Sequence, residues 1–517
     1  MATSDGPPIF VPNVTLQVAR GSSGGGGLPS GDFALATGHF LPAKVPPLII
    51  HPRPSNELTT NSRASYAYPG IQYRLPIGVM GGAYPFKYEI TARSGTADVA
   101  NAAIGGTLVI SGDELIPAND YGVIEWTPAA GDDGKTYSFD VRVTDQEGST
   151  DTVTINGVVD SSKFVFLDPA ATGGGTGTIN SPFTWAETFG TDEGVINPGK
   201  FVYFREGVHT FAGHAASSNN ISITGAADKP VVFLGYPGET PEIDFSAEAG
   251  HFNIFNVDDF YIENLECRDN NALDSVGSFF RMFSGGDRHT IFNNTWKNQT
   301  PAQSSSNNPA CLYWSDTNGS YTYVSKNRLA GKIQAFTQLY ARDDFVIEQT
   351  STNNVTVEEA DGSNAGIIYV KKSCQRGSIR DNNLTEIVFT ANQAACAIAT
   401  SYFQSKIEFC YNKFANPNES RNGVGALIFV DGVDGAPNTY EDIWVYRNNL
   451  DGALGSTADP ITRFVWESNV QDVAAVPAGA TTSTNNLENE AGAFDATSSL
   501  TGSVRSTYLG TRGAEIA

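Results

Sequence analysis

Between residues 250 and 450 the chain repeats two kinds of short apolar run. One kind carries an Asn three positions after an apolar residue and two before another: "IFNNTW" at Asn294, "VSKNRL" at Asn327, "IRDNNL" at Asn382, "FCYNKF" at Asn412 and "VYRNNL" at Asn448. Two looser matches are "YIENLEC" at Asn264 and "VIEQTSTNNV" near residue 350. Successive strong matches lie 33, 55, 30 and 36 residues apart, so the period is near thirty, with 55 close to two repeats. The second kind precedes each match: "FNIF" (252–255), "FFRMF" (279–283), "CLYW" (311–314), "FTQLY" (336–340), "GIIYV" (366–370), "CAIAT" (396–400) and "ALIFV" (426–430).

Several strand-length runs per repeat, with no segment of helical periodicity between them, exclude helical solenoids and α/β barrels and predict stacked coils of parallel strands. Asn is depleted in strands because its amide competes for backbone hydrogen bonds. In a stack of coils, however, each layer turns at the same place. A turn Asn there bonds its equivalents above and below, satisfying an amide that would be costly to bury alone. The recurrent Asn is therefore predicted to form a ladder.

Three stretches upstream, "FVFLDPAATGGGTGTINSPFTW" (164–185), "KFVYFREGVHTF" (200–211) and "ISITGAADKPVVFLGYPGETPEIDF" (221–245), resemble the opening coils of right-handed β-helix proteins of the pectate-lyase-like superfamily. That superfamily includes polysaccharide lyases, glycoside hydrolases and bacteriophage tailspikes. The resemblance covers about residues 163 to 455. It implies an all-β protein whose substrate groove runs along one sheet and the turns that follow it.

The flanks read differently. Residues 1–65, with "GSSGGGG" (21–27) and "PAKVPPLIIHPRP" (42–54), form an extended Gly/Pro-rich arm suited to docking on a partner. Residues 66–160 alternate with period two, as in "YSFDVRVTD", and predict a small β-sandwich. The run 121–159 resembles bacterial Ig-like or cadherin-like modules. Its Asp140, Asp145, Glu147 and Asp151 are of the kind that hold Ca²⁺ between such modules, and equally of the kind found on solvated strand edges. Residues 161–455 are the β-helix, and 456–517 are expected to cap the open strand edge or to trimerise.

Composition narrows the partners. A net charge of −24 disfavours nucleic acid. No apolar run approaches transmembrane length, so no membrane span is expected. The five cysteines all lie in the repeats, mostly in or beside apolar runs, and read as buried thiols, not as a disulfide framework. The six histidines lack metal-ligand spacing, and no metal is assigned to them. The first twenty residues have neither the basic nor the apolar region of a secretion signal. A virion protein is expected on that ground, with an extracellular enzyme as the alternative.

Mapped onto this chain, the groove of the resembled superfamily takes its polar residues from just after the second kind of run. Arg342, Asp343, Asp344, Lys371 and Lys372 are the candidates for chemistry, with Arg288, Asp316, Arg376, Tyr402 and Lys406 as candidate substrate contacts. A uronate lyase needs a base and a cation or Ca²⁺ beside the sugar carboxylate, which Lys371 or Lys372 with Arg342 or Arg376 would supply. A glycosidase needs two carboxylates flanking the bond, which Asp343 and Asp344 with Asp316 would supply. The sequence signatures of either enzyme class are absent, and solvated surface charge is the third reading. Tyr313, Trp314, Tyr321, Tyr323, Tyr340, Tyr402 and Phe403 accompany these turns, and about half are expected to point inward. The resemblance implies a tailspike-like homotrimer that binds, and in an enzyme cleaves, host surface polysaccharide while its arm holds other virion proteins. The alternatives are an exported polysaccharide lyase acting on uronate polymers and a non-enzymatic adhesin or capsid decoration protein.

Overall fold

The computed structural model describes residues 49–51, most of 62–471, and 480–484 and 487–488. Within 62–471 it omits 83, 85, 107–108, 112–113, 117–120, 146–147, 191–198, 213–219, 227–228, 248–249, 271–277, 300–309, 316–318, 358–365, 372, 390–393, 399–402, 415–424, 430–438, 447, 451–452, 456–460 and 468–469. The arm, apart from 49–51 and 62–65, thus lies outside the described residues, as does most of the tail.

From Phe164 onward the chain is a right-handed parallel β-helix of three sheets. The first runs from Phe164–Leu167 to Ala480–Thr484, the second from Gly207–Thr210 to Leu487–Glu488, and the third from Ile221–Thr224 to Ala453–Gly455, each pairing parallel throughout. Strand pairing therefore continues past residue 455 in the first and second sheets. Each coil passes from the third sheet to the first, then to the second, as in Phe252–Phe255, Phe260–Glu263 and Glu266–Asn270. Alternation sends one set of side chains inward, where Ile254, Ile262 and Cys267 of one coil meet Met282, Ile291 and Trp296 of the next. All five cysteines are buried, and none forms a disulfide with another. Four lie in this core, whereas Cys410 faces outward from the first sheet. The short helix Trp185–Phe189, held by a Thr184–Glu187 capping box, sets Trp185 and Phe189 against Phe211 and Phe252 over the first coils.

The corner between the first and second sheets is two residues wide. Its first residue is left-handed in coil after coil: Asn264, Asn293, Lys326, Gln349, Asp381 and Tyr411, with φ between 52° and 59°. Its second residue forms the predicted ladder. Asn382 donates through its backbone N and its Nδ2 to Asn412 Oδ1 at 3.1 and 2.9 Å, and Asn412 does the same to Asn448 at 3.0 and 3.0 Å. Asn294 donates likewise to Asn327 at 3.3 and 3.4 Å. The double-length gap is filled by Thr350, whose backbone N donates to Asn382 Oδ1 at 3.0 Å while its own hydroxyl finds no partner. The looser match at Asn264 belongs to the left-handed column instead. Leu265 holds the ladder position there and donates to Asn294 Oδ1.

Upstream, two small sheets share a core around Trp126, Tyr137 and Phe139: Lys87–Gly95, Thr136–Thr144 and Thr150–Val159 with Tyr66–Ala67, and Tyr73–Pro76, Val123–Trp126 and Ala103–Ile104. This unit lies across the outer face of the first sheet. Tyr66, Tyr68 and Ile71 pack on Phe164, Phe166 and Phe201, and Met80 packs on Tyr323 and Val346. Buried charge joins the two parts. Arg380 donates to Glu348 at 2.7 Å and to the Val79 carbonyl at 2.5 Å, beneath the rings of Tyr84 and Phe86. Tyr323 closes on Glu348 at 2.6 Å.

Two outcomes are expected. Asn412→Ala removes one rung and leaves the backbone N and side-chain amide of Asn382 without their shared acceptor, costing about 2–6 kcal/mol at roughly 1–3 kcal/mol per orphaned group. Urea unfolding of the full chain should show it, and an unchanged midpoint would refute a stabilising ladder. The second concerns Asp381, which accepts from Tyr84 at 2.8 Å and from Gln349 at 3.2 Å. Burial pushes its carboxyl up to about 7, against the pull of those two bonds. An acid raised in the folded state contributes stability that is whole below its unfolded pKa, about 3.9, and lost as pH climbs through the folded value. Melting temperature should therefore fall between about pH 4 and pH 7, and Asp381→Asn should flatten that slope. A slope unaltered by the substitution would assign the titration elsewhere.

Candidate functional site

The residues singled out from sequence fall mainly in the corner between the third sheet and the first. Its last position is left-handed in successive coils: Asp259, Arg288, Tyr321, Asp344, Arg376 and Lys406. Stacking makes this column ionic. Arg288 forks onto Asp259 at 3.0 and 3.0 Å, and Arg376 forks onto Asp344 at 2.7 and 2.9 Å while also reaching Asp343 at 3.1 Å. Burial raises the Asp343 pKa and Arg376 opposes it. The hydrogen bond to Asp344 is the main reason the Arg376 pKa is raised. Both aspartates thus share one guanidinium.

Arg342 sits beneath this column, fully buried. It donates to the Gly286 carbonyl at 2.8 Å and to Thr322 Oγ1 at 3.0 and 2.8 Å. Gly319 lets it pass, since a Cβ there would lie 1.8 Å from Arg342 Nη1. Burial lowers its pKa to about 10, so it stays cationic at neutral pH and ties three coils together. The neighbour that stacking brings to Asp343 and Asp344 is Arg376 together with Gln375, not Lys371. Lys371 instead belongs to the third sheet, beside Tyr340. Lys372, Asp316 and Tyr402 lie outside the described residues.

The outer face of the third sheet carries a feature the sequence reading assembled only in part. Alternation places two rows outward there. One row brings together Asn253, Arg281, Tyr313, Gln338 and Tyr369, and the other Phe255, Phe283, Ser315, Tyr340 and Lys371. Phe255 and Phe283 stack at 5.1 Å, and Tyr313 and Tyr340 meet at 5.5 Å. Arg281 lies over Phe283 at 4.6 Å and Tyr313 at 5.1 Å, and Lys371 over Tyr369 at 4.1 Å and Tyr340 at 5.3 Å. The result is a continuous strip of rings and cations across at least five coils.

Of the aromatics named from sequence, Tyr313 and Tyr340 join this strip. Trp314 points inward and donates to His289 Nδ1, and Tyr323 is buried under the upstream unit. Tyr321 packs beside Tyr323, Met80 and Val346. Phe255, Arg281, Phe283, Gln338 and Tyr369 were missed, although period-two alternation in "FNIF", "FRMF", "TQLY" and "GIIYV" marks their side of the strand. Among the described residues, no cluster of three or more His, Cys, Asp or Glu is placed to hold a metal, and no helix is long and apolar enough to cross a membrane.

No family model and no curated protein matches the chain. Among solved structures it is similar to a Yersinia enterocolitica family 28 exopolygalacturonase, at 9% identity and TM-score 0.26 over 76% of this chain and 99% of that one. It is also similar to the catalytic domain of a GH87 α-1,3-glucanase, at 10% identity and TM-score 0.24 over 80% of this chain and 74% of that one.

Proposed function

We propose that this chain binds an extended polysaccharide along the outer face of the third sheet. The observation that carries the reading is the strip itself. Rings and cations recur there at the coil spacing of about 4.8 Å, which suits a polymer that repeats along the stack axis. Flat aromatic faces stack on apolar sugar faces, and each such contact contributes roughly 0.5–1.5 kcal/mol beyond the area it buries. A cleaving role for Asp343 and Asp344 would require two carboxylates flanking one bond. Their common tie to Arg376 favours binding as the role of this region.

We further propose that the binder is a virion surface appendage of the tailspike kind, a homotrimer that meets host surface polysaccharide through its β-helix. What supports this is the order of parts: a Gly/Pro-rich arm, a unit packed on the first sheet, and a third sheet whose outward side carries rings and cations.

Two measurements bear on these readings. Tyr313→Ala and Tyr340→Ala should each weaken binding of a recognised surface polysaccharide about 3- to 10-fold in titration calorimetry, from the contact energies above, with melting unchanged. Full affinity in the double variant would remove the strip from consideration. Light scattering on the full chain should give about three times the 55.1 kDa of one copy. A monomer would count against the spike and for a free polysaccharide-binding protein.

A further inference from the structure

The outer faces of the second and third sheets differ in charge. On the second, cations sit beside carboxylates: Arg268 on Glu242 at 2.7 Å and Asp244 at 3.1 Å, and Lys297 on Glu266 at 3.7 Å. On the third, neither outward row contains a carboxylate among its described residues. This occurs in a chain with 56 acidic and 32 basic residues, so chance placement would have favoured acids.

Two groups on that face have buried polar atoms without a hydrogen bond. Arg281 forms no ion pair among the described residues, and its Nε is buried with no hydrogen bond. Burial lowers its pKa, with only Tyr313 opposing. Near Arg281, His251 bonds Asn253 Oδ1 at 2.9 Å and is held neutral by burial and by Arg281 itself, and farther along Lys371 lies over Tyr369. Gln338, two coils along in the same row, is fully buried, and both its Oε1 and Nε2 are unpartnered. Each orphaned group costs about 1–3 kcal/mol, so a native surface that keeps several of them in one row is incomplete without a ligand.

We infer that the third sheet selects a glycan bearing an anionic substituent, a sugar carboxylate or a sulfate ester, whose oxygens accept from the Arg281 guanidinium. This rests on the polysaccharide reading above and names the class of polymer. The sugar then stacks on Tyr313, which lies between Arg281 and Gln338 in the row. A guanidinium suits the anionic group because its planar fork matches carboxylate and sulfate oxygens. A chain of net charge −24 repels polyanions in general, so any anionic polymer it retains is held by a local site.

The test uses the full chain and three probes: polygalacturonate, dextran sulfate and neutral dextran. Retention of at least one anionic probe is expected, weakening as salt rises from 50 to 500 mM, values chosen so that the screening length falls from about 14 to about 4 Å. Arg281→Gln should lower that affinity at least 10-fold without moving the melting temperature, and Arg281→Lys should restore part of it. Whichever anionic probe binds identifies carboxylate or sulfate as the group read. Binding of dextran alone, or equal anionic binding by Arg281→Gln, overturns the inference and leaves the strip as a neutral-sugar platform. Retention of none of the three overturns the platform together with the inference.

Discussion

Everything on the surface of this protein depends on the register of its coils, and register is fixed at the narrow corner between the first and second sheets. A slip of one residue in any strand would exchange its inward and outward sets. The left-handed residue and the ladder residue after it prevent such a slip. The first demands a conformation that few residues adopt without cost, and the second demands an amide at one height in each layer. Thr350 shows the tolerance of the arrangement. It keeps the backbone donor of the rung, to Asn382, but not the side-chain one. The gap lies next to an intact run from Asn382 to Asn448, so register persists through it.

Once register is fixed, the three outer faces take different roles because they meet different surroundings. The first is covered by the upstream unit and can hold buried charge only in satisfied groups, as Glu348 between Arg380 and Tyr323 shows. The 4.0 Å approach of Arg380 Nη1 to Glu408 is an ion pair without a hydrogen bond, so that nitrogen remains the weak point of the network. The second face is solvated and carries exposed ion pairs, each contributing little. The third has no carboxylate in either outward row among the described residues, and its rings and cations follow one another over several coils.

The Asn ladder, the run spacing and the inward residues were legible because the coil repeats them, and a repeat can be recognised without knowing the fold in advance. The corner charges were legible as a cluster but not as pairs. The sequence placed Asp343 and Asp344 beside Lys371, whereas the extra residues in the strand Arg342–Glu348 bring them beside Arg376. Arg342 looked like surface chemistry because its neighbours in sequence are charged. Its burial depends on Gly319 and Gly286, one and two coils away, and nothing local announces it. The strip was missed for the opposite reason: Phe283 and Tyr369 look like core in their own strands, and their outward side shows only when alternation is carried across the whole sheet.

That last point bears on how such a protein changes its ligand. A half-buried residue of these rows, such as Arg281 or Tyr313, has neighbours one coil above and below, about 4.8 Å away. It is replaceable at small cost to stability, unlike Arg342 or Asn382, whose partners span several layers. Arg281 illustrates the freedom: its contacts are ring faces, and removing it orphans no buried acid. The fold therefore separates what must be kept, at the corners, from what is freer to vary, at the half-buried outward positions of one sheet. A polymer-binding face of the kind proposed would hold its specificity where substitution costs the stack least.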